Sequence, residues 1–423
     1  MQQTPEQAIA HELGARALAP LLAGFSAWLR DEIARGRPHL VLFLTREGAI
    51  MRRAFLHSAP PAGADITRLA HASRRVLRAA TLFDRDDVAG ELNAPFADCT
   101  LAELFEHRFD VDLPALPSAP WRDAGFPTPS TRVNRRQHLP QLMQLAMAVA
   151  DPVLARSRAL RDNMLPYYRA LGVADGTRVM VVDIGYNGTC LRALQTLFPR
   201  AEFTGRFLIT FAGAGTAGPG EESCRGWLFH EADRKRSPHP VLSAVTVLEF
   251  LLMSEEGTTL GFDARHHPVL GTPLPAPALR LIGDIQEAAL ARIAAGVPPL
   301  SVEAIRRHWK SLLGSPALAI ARHFQGLAID DAFGGKPTRY LIAPFPPGTR
   351  SLREEEQLIA ASSWKAGALR LLGAQRTRLQ RVSRSPLARE LRRGFARRLK
   401  HLRARMHRAP GNLPDFDQPT QKQ

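Results

Sequence analysis

Along this chain, apolar residues occur either in short runs typical of strands or at helical spacing. Five consecutive apolar residues, Leu40 to Leu44, precede the polar turn TREG, which predicts a strand buried on both faces. Further strands are predicted at 65–75, 178–183, 202–211 and 224–230. Helices are predicted at 13–35, 49–59, 189–198 and 240–256. Because strands alternate with helices, we expect an α/β, Rossmann-like fold with a mainly parallel sheet.

The remaining segments are mostly helical. One long helix is predicted from about His138 to Leu171, with breaks at Pro152 and near Pro166. The segment TTLGFDARHHPVLG (258–271) predicts a hairpin, and the Gly-rich segment 212–222 predicts a mobile loop. Later helices are expected at 276–296, 302–313, 315–327 and 351–408.

These patterns divide the chain into three parts. We expect a Rossmann-like domain over 1–270, with a helical insertion at about 84–135 where Pro, Asp and Arg are scattered around the helix LAELFEHRF. A helical subdomain (271–364) and a basic amphipathic helical tail (365–423) would form the C-terminal extension. The last dozen residues are expected to be disordered.

Charge is concentrated in the tail. The net charge is +16, and fifteen Lys and Arg residues between 365 and 408 stand against one acid, Glu390. A basic amphipathic helix suits an anionic membrane surface, although a solvated tail without a partner is an equally simple interpretation. Nucleic acid is a poor candidate partner, because Phe395 is the only aromatic residue available there for base stacking.

Several function classes can be excluded or set aside. No apolar run is long enough for a transmembrane helix, and the three cysteines suit a reducing cytoplasm. Neither a Gly-x-Ser-x-Gly elbow nor a P-loop occurs, and no Cys/His spacing predicts a zinc site. We therefore expect a cytoplasmic protein, with peripheral attachment to the inner membrane face as an option for the tail.

Three polar turns could meet at the carboxyl ends of the strands. These are TREG (45–48), SRR (73–75) and DIGYNGT (183–189). In open parallel sheets, ligands bind at this edge, where the strand order reverses. Arginine forks fit phosphate oxygens, and carboxylates can bind Mg²⁺ or accept a proton. The candidate ligand-binding residues are Arg46, Ser73, Arg74, Arg75, Gly185, Asn187, Gly188 and Thr189, and the candidate acids are Glu47 and Asp183, with Asp183 also the candidate metal ligand.

Structural roles for the same residues remain open. Strand alternation would send Arg74 and Arg75 to opposite faces, so we expect one of them to be structural. Thr189 is expected at or near the N-cap of the next helix. Cys190 follows the turn at a helix start, where a thiol pKa can fall, but a buried inert cysteine is the favoured interpretation.

Two known motifs partly fit the third turn. A methyltransferase nucleotide turn would match Gly185 but needs glycines where Asn187 and Thr189 stand, so binding of S-adenosylmethionine is an alternative function. A phosphoribosyltransferase loop would need a second acid where Ile184 stands. The segment FLTREG is similar to the pyrophosphate loop of that family, which makes a phosphoribosyltransferase-like sheet the favoured architectural analogy.

Five segments in order resemble one bacterial family: LAPLLAGFSAWL, VLFLTREGAIM, ASRRVLRAA, VVDIGYNGTCLRAL and LEFLLMSEEGTTLGF. Together they resemble the domain that follows the hydrolase module in predicted hydrolases of the haloacid dehalogenase superfamily. That family has Asp where this chain has Glu47, Ser at Asn187 and Gln at Leu191. The last segment adds Glu249, either a site acid or a helix-surface residue.

This resemblance implies a role in bacterial surface-polysaccharide synthesis, beside glycosyltransferases. The hydrolase module itself is missing, since no Asp-x-Asp-x-Thr occurs, so its phosphatase activity does not carry over. We expect an enzyme, or a domain derived from one, that handles a phosphorylated sugar or nucleotide-like ligand with Mg²⁺ as candidate cofactor. The alternative is a non-catalytic scaffold that the tail recruits to glycosyltransferases at the membrane surface.

Overall fold

A computed structural model places a five-stranded parallel sheet at the centre of the chain. The structure describes residues 5–58, 63–94, 96, 99–116, 118–214, 223–298, 300–331, 336–346 and 351–374. The elements before the insertion are α1 (Pro5–Leu13), a π-helical turn (Gly14–Leu18), α2 (Ala19–Gly36), β1 (Leu40–Leu44), α3 (Gly48–His57), β2 (Thr67–Ala70) and α4 (Arg74–Ala80).

The insertion and the second half of the sheet follow. The insertion contains α5 (Arg85–Glu91), β3 (Cys99–Thr100), α6 (Leu101–Phe109), a 3₁₀ turn (Leu113–Ala115), α7 (Pro120–Asp123) and β4 (Arg132–Val133). Next come α8 (Arg135–Ala148), α9 (Ala150–Ala170), β5 (Arg178–Tyr186), α10 (Thr189–Leu197), β6 (Glu202–Phe211), β7 (Cys224–Ala232), α11 (Pro240–Ser243) and α12 (Val245–Leu252).

The C-terminal part adds helices and two strand pairs. A hairpin forms from β8 (Thr259–Phe262) and β9 (Pro268–Leu270), as predicted. It is followed by α13 (Ala276–Ala294), α14 (Val302–Gly314), α15 (Leu318–His323), β10 (Ala328–Asp331), β11 (Lys336–Tyr340), α16 (Leu352–Ala361) and α17 (Lys365–Ala374).

The central sheet has the order β2-β1-β5-β6-β7, and all four pairings are parallel. The predicted α/β, Rossmann-like class is therefore confirmed. This order is that of a doubly wound sheet. The chain forms β1 first, adds β2 on one side of it, and then returns to place β5 on the other side of β1. The strand order thus reverses between β1 and β5, which is where such sheets bind ligands.

Both faces of the sheet are covered, which explains the unbroken apolar run of β1. Val41 and Phe43 join one core with α2, α3 and α13. Leu42 and Leu44 join a second core with α4, α9 and α10 on the opposite face. Successive residues of a strand point to opposite faces, so a strand between two cores needs apolar residues at every position.

The insertion has a hydrophobic core of its own. Buried residues from Leu82 to Val153 form one cluster, which includes Phe105 and Phe109 of α6. This cluster extends past residue 135 into α8 and the start of α9, so the packed unit is longer than the segment that composition marked. The helix LAELFEHRF is present as α6.

Several predicted boundaries were wrong. The long helix is interrupted at Val149, close to the predicted break at Pro152, but α9 continues through Pro166. The predicted second strand ends at Ala70, because Ser73 starts α4. The C-terminal region is mostly helical, and the antiparallel strands β10 and β11 lie between the predicted helices 315–327 and 351–408.

The start of the predicted tail belongs to the packed body. Ala368, Leu371 and Leu372 of α17 are buried, and Trp364 just before it is buried as well. A single helix over 351–408 is wrong for the described part, because α16 ends at Ala361 and α17 begins at Lys365. Most of the basic tail (375–423), its expected disordered end and most of the Gly-rich loop (215–222) lie outside the described residues.

The helices in the described part of the chain do not have the length and apolar character of a membrane span.

Candidate functional site

A cleft opens at the carboxyl ends of β1, β2 and β5, at the point where the strand order reverses. All three turns singled out in the sequence contribute to its wall, together with α12. The structure thus brings together every sequence-predicted site residue: Arg46, Glu47, Ser73, Arg74, Arg75, Asp183, Gly185, Asn187, Gly188, Thr189 and Glu249.

The first turn places Arg46 and Glu47 side by side. The Thr45 hydroxyl accepts a hydrogen bond from the Ala72 backbone N–H at 3.2 Å, which ties the first turn to the second. The Glu47 carboxylate accepts one from the Arg46 backbone N–H at 3.2 Å. Arg46 is half-buried, and no carboxylate of the described chain lies within ion-pair distance of its guanidinium group. A partly desolvated, unpaired arginine is a strong anion-binding group.

In the second turn, some residues stabilise the fold and others act on the cleft. The Ser73 hydroxyl accepts a bond from the Val76 N–H at 3.2 Å as the N-cap of α4. It also donates to the Thr259 carbonyl oxygen at 2.8 Å, so both of its bonds hold the fold together. Ligand binding by Ser73 would therefore compete with an existing cap.

Arg74 and Arg75 differ, but for a helical reason rather than the predicted strand alternation, because both lie in the first turn of α4. A guanidinium nitrogen of Arg75 contacts the Asp110 carboxylate at 2.7 Å, and Arg156 holds the other oxygen of Asp110 at 2.6 Å. Arg74 instead lies close enough to the Asp183 carboxyl to oppose part of the rise in its pKa that burial and Glu47 cause. Arg75 is thus tied to the insertion, and Arg74 acts electrostatically on the cleft.

The third turn begins later than expected, because β5 runs on to Tyr186. Gly185 has φ +108°, and a Cβ atom there would lie 2.4 Å from the Ile209 carbonyl oxygen, so no other residue fits. Gly188 has φ +64° and is the N-cap of α10, which makes Thr189 the first helical residue. The N-terminus of α10, with its positive dipole end, therefore faces the cleft beside Asn187.

Three carboxyl groups, those of Glu47, Asp183 and Glu249, share the cleft. Burial and then the neighbouring Glu47 carboxylate raise the pKa of Asp183 well above its usual value, against the opposing effects of the Ile184 N–H bond and Arg74. Burial and Glu47 also raise the pKa of Glu249. Like charges that cannot all ionise are typical of sites that exchange protons or bind cations.

Tyr186 is the site residue that sequence reasoning missed. Its hydroxyl donates to Glu249 Oε1 at 2.8 Å, and its side chain lines the cleft. Burial and then the Glu249 carboxylate raise the pKa of Tyr186 well above its usual value. The sequence feature that could have identified Tyr186 was its position between Gly185 and Gly188 in the turn DIGYNGT. Thr258 and Leu260 of the predicted hairpin segment also line the cleft, and no sequence feature marked them as site residues.

Cys190 is a poor nucleophile. Burial and then the Asp183 carboxylate raise the pKa of its thiol to about 12. This direction agrees with the interpretation of Cys190 as an inert residue, but the residue is half-buried rather than buried.

A metal ion in the cleft would need additional donor atoms from a bound ligand. Within the described residues, no group of three His, Cys, Asp or Glu side chains is arranged to hold a metal ion. Mg²⁺, however, is commonly bound by one or two carboxylates together with substrate phosphate oxygens. The carboxylates of Asp183 and Glu47 supply oxygen donors of this type, and their mutual repulsion is the electrostatic setting that a cation would relieve.

Comparison with known proteins adds no assignment. No family model matches the chain, and a search of curated proteins finds no match.

Proposed function

We propose that the cleft binds a phosphorylated sugar or nucleotide-like molecule and that the protein is an enzyme, or a domain derived from one. The observation that carries this proposal is the half-buried guanidinium of Arg46, which has no carboxylate partner in the described chain. It shares the cleft with Arg74, with the N-terminus of α10 and with three carboxyl groups. Cationic groups with adjacent acids suit a phosphate whose reaction involves proton transfer or Mg²⁺.

Each group has a distinct proposed role. Arg46 and Arg74 hold the phosphate, whereas Arg75 contributes less because Asp110 already binds it. The turn from Gly185 to Thr189 presents backbone N–H groups to an anionic oxygen. Asp183 or Glu47 acts as the acid or base, or binds Mg²⁺. Mg²⁺ binding would require the ionised carboxylate, so it should strengthen as pH rises.

The biological setting is proposed from the sequence resemblance. The five segments that resemble the companion domain of haloacid-dehalogenase-type hydrolases suggest surface-polysaccharide metabolism in a bacterial cytoplasm, with glycosyltransferases as partners. In that setting, activated sugars carry phosphate, which is the chemistry that the cleft suits.

Ligand-induced thermal stabilisation tests the proposal. A panel of sugar phosphates and nucleotides should raise the melting temperature of the wild type, and Arg46→Ala and Asp183→Asn should weaken this response. Matched controls are Arg53→Ala and Asp175→Asn, which remove exposed ion-pair partners away from the cleft. If both cleft variants keep the full response, the proposal is wrong.

A second candidate function is a scaffold at an anionic membrane surface. Its support is the charge of the tail, where basic residues outnumber Glu390 fifteen to one over 365–408. Each basic residue near such a surface contributes on the order of 1 kcal/mol before screening. Because α17 is packed into the body, the chain should be shortened after Ala374 rather than at 365. Co-sedimentation with anionic vesicles should be lost on truncation, while turnover by an enzyme should remain.

The methyltransferase alternative has a direct test as well. Calorimetric titration with S-adenosylmethionine should show no binding if the phosphate interpretation is correct. Tight binding would replace that interpretation.

A further inference from the structure

Tyr186 and Glu249 form a hydrogen-bonded pair in the wall of the cleft. The phenol O–H donates to Glu249 Oε1 at 2.8 Å, across 63 positions of sequence. Within the described residues, Tyr186 is the only hydrogen-bond partner of the Glu249 side chain. The pair connects the end of β5 with α12, and both side chains line the cleft.

Packing holds the tyrosine in one place. Its ring stacks on Phe211 with centroids 5.3 Å apart and planes 14° apart. The guanidinium group of Arg234 lies 4.2 Å above the Phe211 ring centroid and completes the stack. Tyr186 also has φ +98°, a left-handed backbone conformation that is strained for a bulky residue and that glycine adopts without strain.

The chemistry of this pair differs from that of the arginines. A carboxylate with a phenol beside it accepts and donates hydrogen bonds, which suits neutral hydroxyl groups. The Glu249 carboxylate and the nearby carboxyl groups of Glu47 and Asp183 disfavour phosphate beside the pair, although Arg74 and Arg339 offset part of this repulsion. Phe207 and Leu260 give the same cleft apolar wall, against which the C–H face of a sugar ring can pack.

We propose that the ligand is a sugar phosphate that binds with its phosphate at Arg46 and Arg74 and its hydroxyl groups at the Tyr186–Glu249 pair. This inference rests on the proposed function and narrows it. A second phosphate beside Glu249 would face three carboxyl groups, so a sugar monophosphate should bind better than the same sugar carrying two phosphates.

Calorimetry can distinguish contacts to the phosphate group from contacts to the sugar hydroxyl groups. Inorganic phosphate and a series of hexose and pentose monophosphates are titrated into the wild type, Glu249→Gln and Tyr186→Phe. The tightest sugar phosphate should bind Glu249→Gln about 10- to 100-fold more weakly, as expected for the loss of a hydrogen bond to a charged group. Inorganic phosphate should bind Tyr186→Phe as it binds the wild type, and it should bind Glu249→Gln at least as tightly, because that variant lacks a carboxyl group that repels phosphate.

Two variants with similar chemistry serve as controls. Tyr167→Phe removes a phenol that accepts the His71 N–H outside the cleft, and Glu287→Gln removes an exposed carboxylate. Neither should change the affinity for sugar phosphate. Tyr186→Phe keeps the ring that stacks on Phe211, so its unfolding transition should stay close to that of the wild type.

The outcomes distinguish this inference from the function on which it rests. If sugar phosphates bind but Tyr186→Phe and Glu249→Gln leave their affinity unchanged, the inference fails and the proposed function stands. Equal weakening of inorganic phosphate and sugar phosphate would also overturn the inference, because the pair would then act on the whole cleft. If no phosphorylated compound binds the wild type, the proposed function fails and the inference with it.

Discussion

Two carboxyl groups in this molecule, the buried Glu32 and the half-buried Asp183, have opposite surroundings. Glu32 of α2 is only 1% exposed, and it contacts the guanidinium groups of Arg206 at 2.6 Å, Arg225 at 3.0 Å and Arg35. Asp183 lies among other acids, with the backbone N–H of Ile184 as its hydrogen-bond donor at 2.7 Å. The first arrangement neutralises a buried charge, whereas the second disfavours the ionised form of Asp183, an effect that Arg74 offsets only in part.

This difference separates a structural group from a candidate functional one. Buried charges in proteins are normally paired, because desolvation of an isolated ion costs several kcal/mol. The network around Glu32 follows this rule. The cleft departs from it, and it does so where three loops meet at the edge of a doubly wound sheet. Departures of this kind are expected at sites where a ligand supplies the missing charge.

The largest expected effect comes from breaking the structural network. Glu32→Gln should lower the free energy of unfolding by about 3–5 kcal/mol, since it leaves Arg206 buried without its counter-charge. Urea unfolding measures this loss. Glu287→Gln, which removes an exposed partner of Arg53, should change stability by less than about 1 kcal/mol. A comparable loss in both variants would contradict the structural role of Glu32.

A substitution in the cleft is expected to increase the free energy of unfolding rather than lower it. Asp183→Asn should raise the free energy of unfolding by about 0.5–2 kcal/mol near pH 8, because the ionised form of Asp183 is disfavoured in the fold. The folded pKa lies above the unfolded value, so wild-type stability falls as pH rises between them. The advantage of the variant should therefore be small near pH 4 and should grow with pH. Unfolding midpoints at several pH values measure it, and a constant difference would refute it.

The smallest expected effect concerns Ser73, which lines the cleft and also caps α4. Ser73→Ala should cost about 1 kcal/mol of stability, because α4 loses its N-cap and the Thr259 carbonyl oxygen loses a donor. Affinity for sugar phosphate should fall less than in Arg46→Ala. If affinity falls as far as in Arg46→Ala while stability is unchanged, Ser73 belongs to the ligand site rather than to the scaffold.

The sequence was most informative where one local rule decides the structure. The apolar run of β1 predicted a strand covered on both faces, and the polar turns after three strands predicted where the cleft lies. The extension of β5 to Tyr186 was missed, because Gly185 interrupts the apolar pattern. Its φ of +108° and its contact with the Ile209 carbonyl group depend on β6, which no local pattern encodes.

Other misses have similar causes. Proline usually ends a helix, yet α9 continues through Pro166 and packs against α4, α5 and β8, which are distant in sequence. The start of α4 was taken for strand, although Ser73 is a typical N-cap residue. The Tyr186–Glu249 contact could not be predicted at all, because it joins two elements that only the tertiary fold brings together.

An experimental structure with inorganic phosphate bound tests the central claim most directly. The account predicts phosphate between the guanidinium groups of Arg46 and Arg74, beside the N-terminus of α10 and within the same cleft as Asp183. Arginine side chains that point outward on separate faces, with phosphate bound elsewhere or not at all, would contradict it.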